Sequence, residues 1–260
     1  MRYLVASDIH GMWSSLKILM EERWDGEDQL IILGDMVDRG PDSFSVVSHL
    51  MHAVKEEEGV IVLKGNHEDM LLNFLDDPLN EHRIYLGNGG WETIKSFLPD
   101  ATVPQTEYDI ALLASRMLKQ YPEEIEFLRN LPLYHETEHW IFVHAGINTA
   151  LIDWKRSSEH YLLWSREEFH HGTNETGKRI FFGHTPTRMF TGNTSDAPFV
   201  FACGSKVAID GAAAFSGQLN IVHLDDTRPE DASYSYIDKL GLSIPLFMPP
   251  PRFSTTPDAT

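Results

Sequence analysis

A disulfide is excluded at once: the chain has a single cysteine, Cys203, so no internal bridge can form. A cytoplasmic location follows as the expectation. The triplets at Asn174 and Asn193, which look like glycosylation acceptors, then carry no meaning. Basic residues are scarce. The 21 Lys and Arg stand against 39 Asp and Glu, for a net charge of -18. A nucleic-acid surface needs a basic footprint, so that partner class is excluded. Long apolar runs are missing too. None approaches the ~20 apolar residues of a membrane span, so no membrane partner is expected. The run at 3–6 is too short for a secretory leader. There is no internal repeat and no clear linker.

What is there is enough for a full core: 260 residues, 42% hydrophobic and 23% charged. One domain over residues 1–248 is expected. The Pro-, Ser- and Thr-rich tail at 249–260 is expected to be disordered. Apolar runs at 3–6, 30–33 and 60–63 read as buried strands. Helical spacing follows each of them, at 13–22, 44–55 and 68–75. This alternation predicts an α/β fold with parallel strands under crossover helices. Two more helices are predicted over 109–119 and 123–130. The second half turns strand-rich, with short apolar runs at 140–143, 180–182, 207–209 and 219–222.

The polar residues at the strand ends carry the chemistry, because ligands of such sheets gather beyond the carboxyl ends of the strands. Asp8 and His10 lie two apart after the first strand, and alternation along a strand would point them the same way. An oxygen and a nitrogen donor together begin a metal site. Gly34-Asp35-Met36-Val37-Asp38-Arg39-Gly40 follows the second strand. Asp35 has two oxygens with which to bridge ions. Arg39 has the planar fork that grips phosphate. Gly65-Asn66-His67-Glu68 follows the third strand; Asn66 offers a neutral oxygen, and His67 titrates in the range of a general acid. His144 and His184 each follow a later strand. Taken singly, each feature has a plain reading: a turn, a solvated ion pair, or a buried hydrogen-bonded histidine. Five strand ends sharing metal-type ligands are not expected by chance.

These segments, with His144-Ala145-Gly146 and Gly183-His184-Thr185-Pro186, resemble the phosphoprotein phosphatase family of the calcineurin-like metallophosphoesterases. Asn88-Gly89-Gly90-Trp91 and Leu163-Trp164-Ser165-Arg166 resemble its bacterial and phage branch. The resemblance implies a sandwich of two mixed β-sheets flanked by helices. It implies two divalent metal ions, Mn2+ by preference with Fe or Zn also suited. Asp8, His10 and Asp35 would hold the first ion; Asp35, Asn66, His144 and His184 would hold the second. His67 would be the general acid, oriented by Asp38, while Arg39 and Arg166 would bind the phosphate. The family often has two consecutive glycines where this chain has Gly211-Ala212 after Asp210, a departure expected to touch no ligand.

The activity so implied is hydrolysis of phosphomonoesters by a hydroxide generated between the ions, as in a serine/threonine or dual-specificity protein phosphatase. The partner would be a phosphorylated protein or a small phosphoester. A second enzyme reading is a symmetric dinucleoside polyphosphate hydrolase, whose similar motifs often carry Ala-Arg and Asn-His-Asp. Asp38-Arg39 and Asn66-His67-Glu68 lean away from it. A non-catalytic binding module should have lost ligands, and none is missing. Substrate-selecting loops are expected at 73–107 and 153–178.

Overall fold

The computed structural model describes residues 1–201, 204–215, 217–238 and 241, together with the backbone of 243–246. The segment 249–260 lies outside the described residues. Two mixed sheets face each other, with helices packed on the outside. In the first sheet, β1 (Arg2–Ala6), β2 (Gln29–Ile32) and β3 (Val60–Val62) run parallel. Antiparallel β9 (Gln218–Asp225), β10 (Ala232–Asp238) and β11 (Ser243–Leu246) extend it beyond β1. The second sheet has the order β4 (Tyr134–Glu136), β5 (Trp140–Val143), β6 (Arg179–Phe182), β8 (Lys206–Ala208) and β7 (Phe199–Val200). Its centre, β5, β6 and β8, is parallel.

Successive side chains on a strand point to opposite faces, and both faces of each sheet are covered. Tyr3 and Val5 of β1 therefore meet Trp140, Phe142 and Phe181 between the sheets, while Leu4 and Ala6 meet the outer helices. The Tyr3 and Trp140 rings pack edge to face, with centroids 5.2 Å apart. Each fully buried side chain of this kind stabilises the fold by about 1.5–3 kcal/mol. Burial on both faces is why these strands read as continuous apolar runs rather than as alternation.

The helices on the first sheet are α1 (Trp13–Ile18), α2 (Ser43–Glu56) and α3 (Asn66–Asp76). The 13–22 prediction holds in part: after Ile18 the chain widens into a π-type turn, and Trp24 N–H reaches Leu19 O at 2.9 Å. Predicted loops give way to helices in 73–107, where α4 (Pro78–Gly87) and α5 (Gly90–Phe97) precede α6 (Glu107–Gln120) and α7 (Pro122–Arg129). Tyr85 alone is buried among the residues of α4, so this helix shows no apolar stripe in sequence. The 153–178 segment is also partly helical, with α8 (Glu159–Trp164) and α9 (Glu167–His171). Among the described residues, no helix is long and apolar enough to cross a membrane.

Candidate active site

The turns beyond β1, β2 and β3 form one side of the site. β1 stops at Ala6, so strand alternation does not aim Asp8 and His10. Their backbones are left-handed instead, at φ 55° and 45°. Asp35, Asp38 and Arg39 share that conformation, at φ 54°, 71° and 69°. Non-glycine residues adopt it at a cost of about 1–2 kcal/mol each, and their clustering marks a site where geometry has overruled local preference. Glu68, on the first turn of α3, offsets the cost. One of its oxygens accepts from Asp35 N (2.9 Å) and Gly65 N (2.7 Å), and the other from Met36 N (2.7 Å) and Val37 N (3.3 Å). Gly65 has no room for a side chain: a Cβ there would lie 2.2 Å from Asp35 Oδ1.

His67 enters from the start of α3. Its Nδ1 donates to Asp38 Oδ2 at 2.7 Å, and its backbone N–H to Asp35 Oδ1 at 3.0 Å. Nε2 stays 3.9 Å from Asp35 Oδ2. Burial lowers the His67 pKa, and the Asp38 carboxylate pulls it back up. His10 Nδ1 donates to Val37 O at 2.7 Å, which leaves Nε2 as a lone pair 3.6 Å from Asp35 Oδ2. A cation already meets that lone pair, since Arg39 Nη1 donates to it at 2.6 Å.

The second sheet supplies the other side. His144, after β5, donates from Nδ1 to Leu33 O at 2.9 Å. Its Nε2 therefore faces Asn66 Oδ1 (2.9 Å) and Asp35 Oδ1 (3.4 Å) as a third acceptor. His184, after β6, places Nδ1 2.7 Å from Asn66 Oδ1, while its buried Nε2 has no hydrogen-bond partner among the described residues. Burial drives these imidazoles neutral: the His144 pKa falls to about 3, and that of His184 is also lowered. Burial pushes the carboxyls of Asp8 and Asp35 up. Neutral imidazoles beside carboxylates short of positive charge are the donor set of a divalent cation, and tying Nδ1 to a carbonyl is how a ligating histidine is oriented.

Among the described residues, two triplets meet metal-ligand spacing, His10–Asp35–His67 and Asp35–His144–His184, each buried and with ligand atoms within 4.8 Å of one another. Asp35 belongs to both. Asp8 belongs to neither; its carboxylate accepts from the Ser7 hydroxyl and, at 3.1 Å, from His184 N. Arg166 stands at the rim between α8 and α9, donating to Thr185 Oγ1 at 2.7 Å. Arg39 lies under the ring of Phe215, with its Cζ 5.0 Å from the centroid.

A model of the calcineurin-like phosphoesterase family matches residues 1–209. The chain belongs to the calcineurin-like phosphoesterase family. It is 30% identical to serine/threonine-protein phosphatase 1 of Salmonella typhimurium over 85% of this chain and 90% of that one. It is 26% identical to the symmetrical bis(5'-nucleosyl)-tetraphosphatase of Nitrosomonas europaea over 61% of this chain, and spans about half (48%) of that protein. Among solved structures, a proposed diadenosine tetraphosphatase superposes with a TM-score of 0.56 at 18% identity, covering 94% of this chain and 92% of that one.

Sequence reasoning missed several residues of this phosphoesterase's site. Glu68 closes the Gly65-Asn66-His67-Glu68 segment, yet nothing in the one-dimensional pattern shows that it binds the turn after β2. Thr93 and Ser43 hold Asp38 from outside the segments altogether. Asp210 was also missed: it is buried, and its charge pushes the Asp8 carboxyl up. Ala212, where the family often has glycine, has φ 55°.

Proposed function

We propose that this phosphoesterase is a metal-dependent serine/threonine protein phosphatase acting on phosphomonoesters. The observation that carries this reading is the buried Asp38–His67 pair, 2.7 Å apart and set beside Asp35 and His10. It is a proton donor with a fixed orientation, suited to an alkoxide leaving group, which leaves poorly unless protonated. Asp8, His10 and Asp35 would hold one divalent ion, and Asp35, Asn66, His144 and His184 the other. Such ions supply Lewis acidity and an ionised water near neutral pH. The mixed oxygen and imidazole donors suit Mn2+, with Fe or Zn as alternatives.

The chain's own groups would do the rest. Arg39 leaves His10 to meet the phosphoryl oxygens, joined by Arg166 from the other sheet, and the two neutralise charge on the transferring group. Oxygen from water adds to phosphorus as the bond to the leaving oxygen breaks. The proton on His67 Nε2 passes to that oxygen, and the proton from water goes to solvent. The coverage of the Salmonella phosphatase supports a protein substrate. The tetraphosphatase relatives support the second reading, a symmetric dinucleoside tetraphosphate hydrolase.

One comparison tests both. Metal-stripped protein reloaded with Mn2+ should release phosphate from phosphoserine and phosphothreonine peptides, and do so faster than it cleaves diadenosine tetraphosphate. Faster cleavage of the dinucleotide would replace the first reading with the second. Full activity with Mg2+ alone would count against Mn2+.

A further inference from the structure

The helices that replace the predicted loop at 73–107 bear on the turn that carries Asp38 and Arg39. α5 starts after Gly89, whose carbonyl accepts from Arg39 N at 3.1 Å. Gly89 is left-handed at φ 96°, and a Cβ there would lie 2.8 Å from Arg39 Cγ. One turn further on, Thr93 is fully buried and points at Asp38. Its hydroxyl donates to Asp38 Oδ1 at 2.8 Å and accepts from Asp38 N at 2.7 Å. Ser43 Oγ lies 3.0 Å away, and with the Thr93 proton spent on Asp38 it is the donor in that pair.

We infer that Thr93 is a positioning residue for proton donation to the leaving group. It acts through Asp38. Holding the backbone N–H and Oδ1 of one residue at once pins Asp38 in its left-handed conformation. Oδ2 is then left to His67 Nδ1. Without the hydroxyl, Oδ1 loses its buried donor, and the carboxylate is free to turn away from His67. An orientation fixed by a supporting shell is what a catalytic group requires, and misplacing it weakens the step it serves. The inference rests on the reading of His67 as the acid.

The test turns on the leaving group. An alkoxide needs a proton as it departs, and a nitrophenolate does not. Thr93→Val, which keeps shape and deletes the hydroxyl, is compared with Thr93→Ser and with His67→Gln in the Mn2+-loaded enzyme. Substrates are a phosphoserine peptide and p-nitrophenyl phosphate. General acid catalysis contributes about 10²–10⁴-fold, so Thr93→Val should lose roughly 10–100-fold in kcat on the peptide and under about threefold on the aryl ester. Thr93→Ser should recover most of the loss, and His67→Gln should show the same selectivity more strongly. Equal losses on both substrates in Thr93→Val, or none on either, with His67→Gln still selective, overturn the role of Thr93 alone. A His67→Gln enzyme that loses both activities equally removes the acid reading and the inference with it. Should Thr93→Val fail to fold, Thr93→Ala makes the same deletion with less bulk.

Discussion

The two sides of the active site are built differently. On the first sheet, the turns after β1, β2 and β3 brace one another: Glu68 holds four backbone N–H groups from two of them, and His10 N–H reaches Asp35 O at 2.8 Å. On the second sheet, each strand end contributes little more than one side chain, and that side chain is oriented by the first side. Leu33 O fixes the His144 ring, Asp8 holds the His184 amide, and Asn66 meets both imidazoles. The first side is therefore a frame and the second a set of donors hung on it. Disturbing the frame should disable both metal positions, whereas changing the second side should have local effects.

The largest test of this asymmetry is Asp35→Asn, because Asp35 belongs to both triplets. The loss in kcat on an aryl phosphate should be at least about 10³-fold, equivalent to about 4 kcal/mol of barrier, with bound metal falling below two per chain. Activity surviving with full metal content would show that neither triplet depends on Asp35.

Next in size is Glu68→Gln. A carboxamide of the same shape turns an NH2 toward donors that the carboxylate oxygen now accepts from. Two of the four amides lose their partner inside the protein. Unsatisfied buried donors and lost charge-assisted hydrogen bonds put the destabilisation at about 2–4 kcal/mol, read from urea unfolding of the metal-free protein. A change under about 0.5 kcal/mol would mean that the left-handed turn after β2 stands without Glu68, and the contrast between the two sides would fail.

This difference also explains what could be read from the sequence. The first side lies within 75 residues of alternating strand and helix, and its chemistry sits in contiguous segments bracketed by glycine, so both fold class and candidate residues were legible there. The braces were not. Glu68 and Thr93 act on residues 33 and 55 positions away, and no local pattern encodes such pairings. Helix α4 escaped because Tyr85 is its only buried residue, and α5 because it spans eight residues from a glycine start. On the second side, two-residue β7 and three-residue β4 are too short to show a period. His144 and His184 were visible only as histidines after apolar runs.

Asp210 sharpens the comparison from the second side, and with the smallest effect. Burial raises its carboxyl from 3.8 to about 6, beside the carboxyl of Asp8. An acid whose folded pKa exceeds its unfolded pKa holds a proton in the folded state that the unfolded chain has released. It contributes nothing below about pH 3.8, opposes folding increasingly as pH rises from 3.8 to 6, and has its full effect above 6. Asp210→Asn removes that penalty. Metal-free Asp210→Asn should match the wild type near pH 3.5 and exceed it by about 1–3 kcal/mol at pH 7. The buried histidines contribute to both proteins alike, so the difference between them reports Asp210 together with its effect on Asp8. Divalent ions stabilise the ionised carboxylates of the same cluster, so the advantage of the variant should shrink or reverse when Mn2+ is added. A variant equally stable with respect to wild type at both pH values, with metal removed, would show that Asp210 is already ionised at no cost. The second side would then be as well braced as the first.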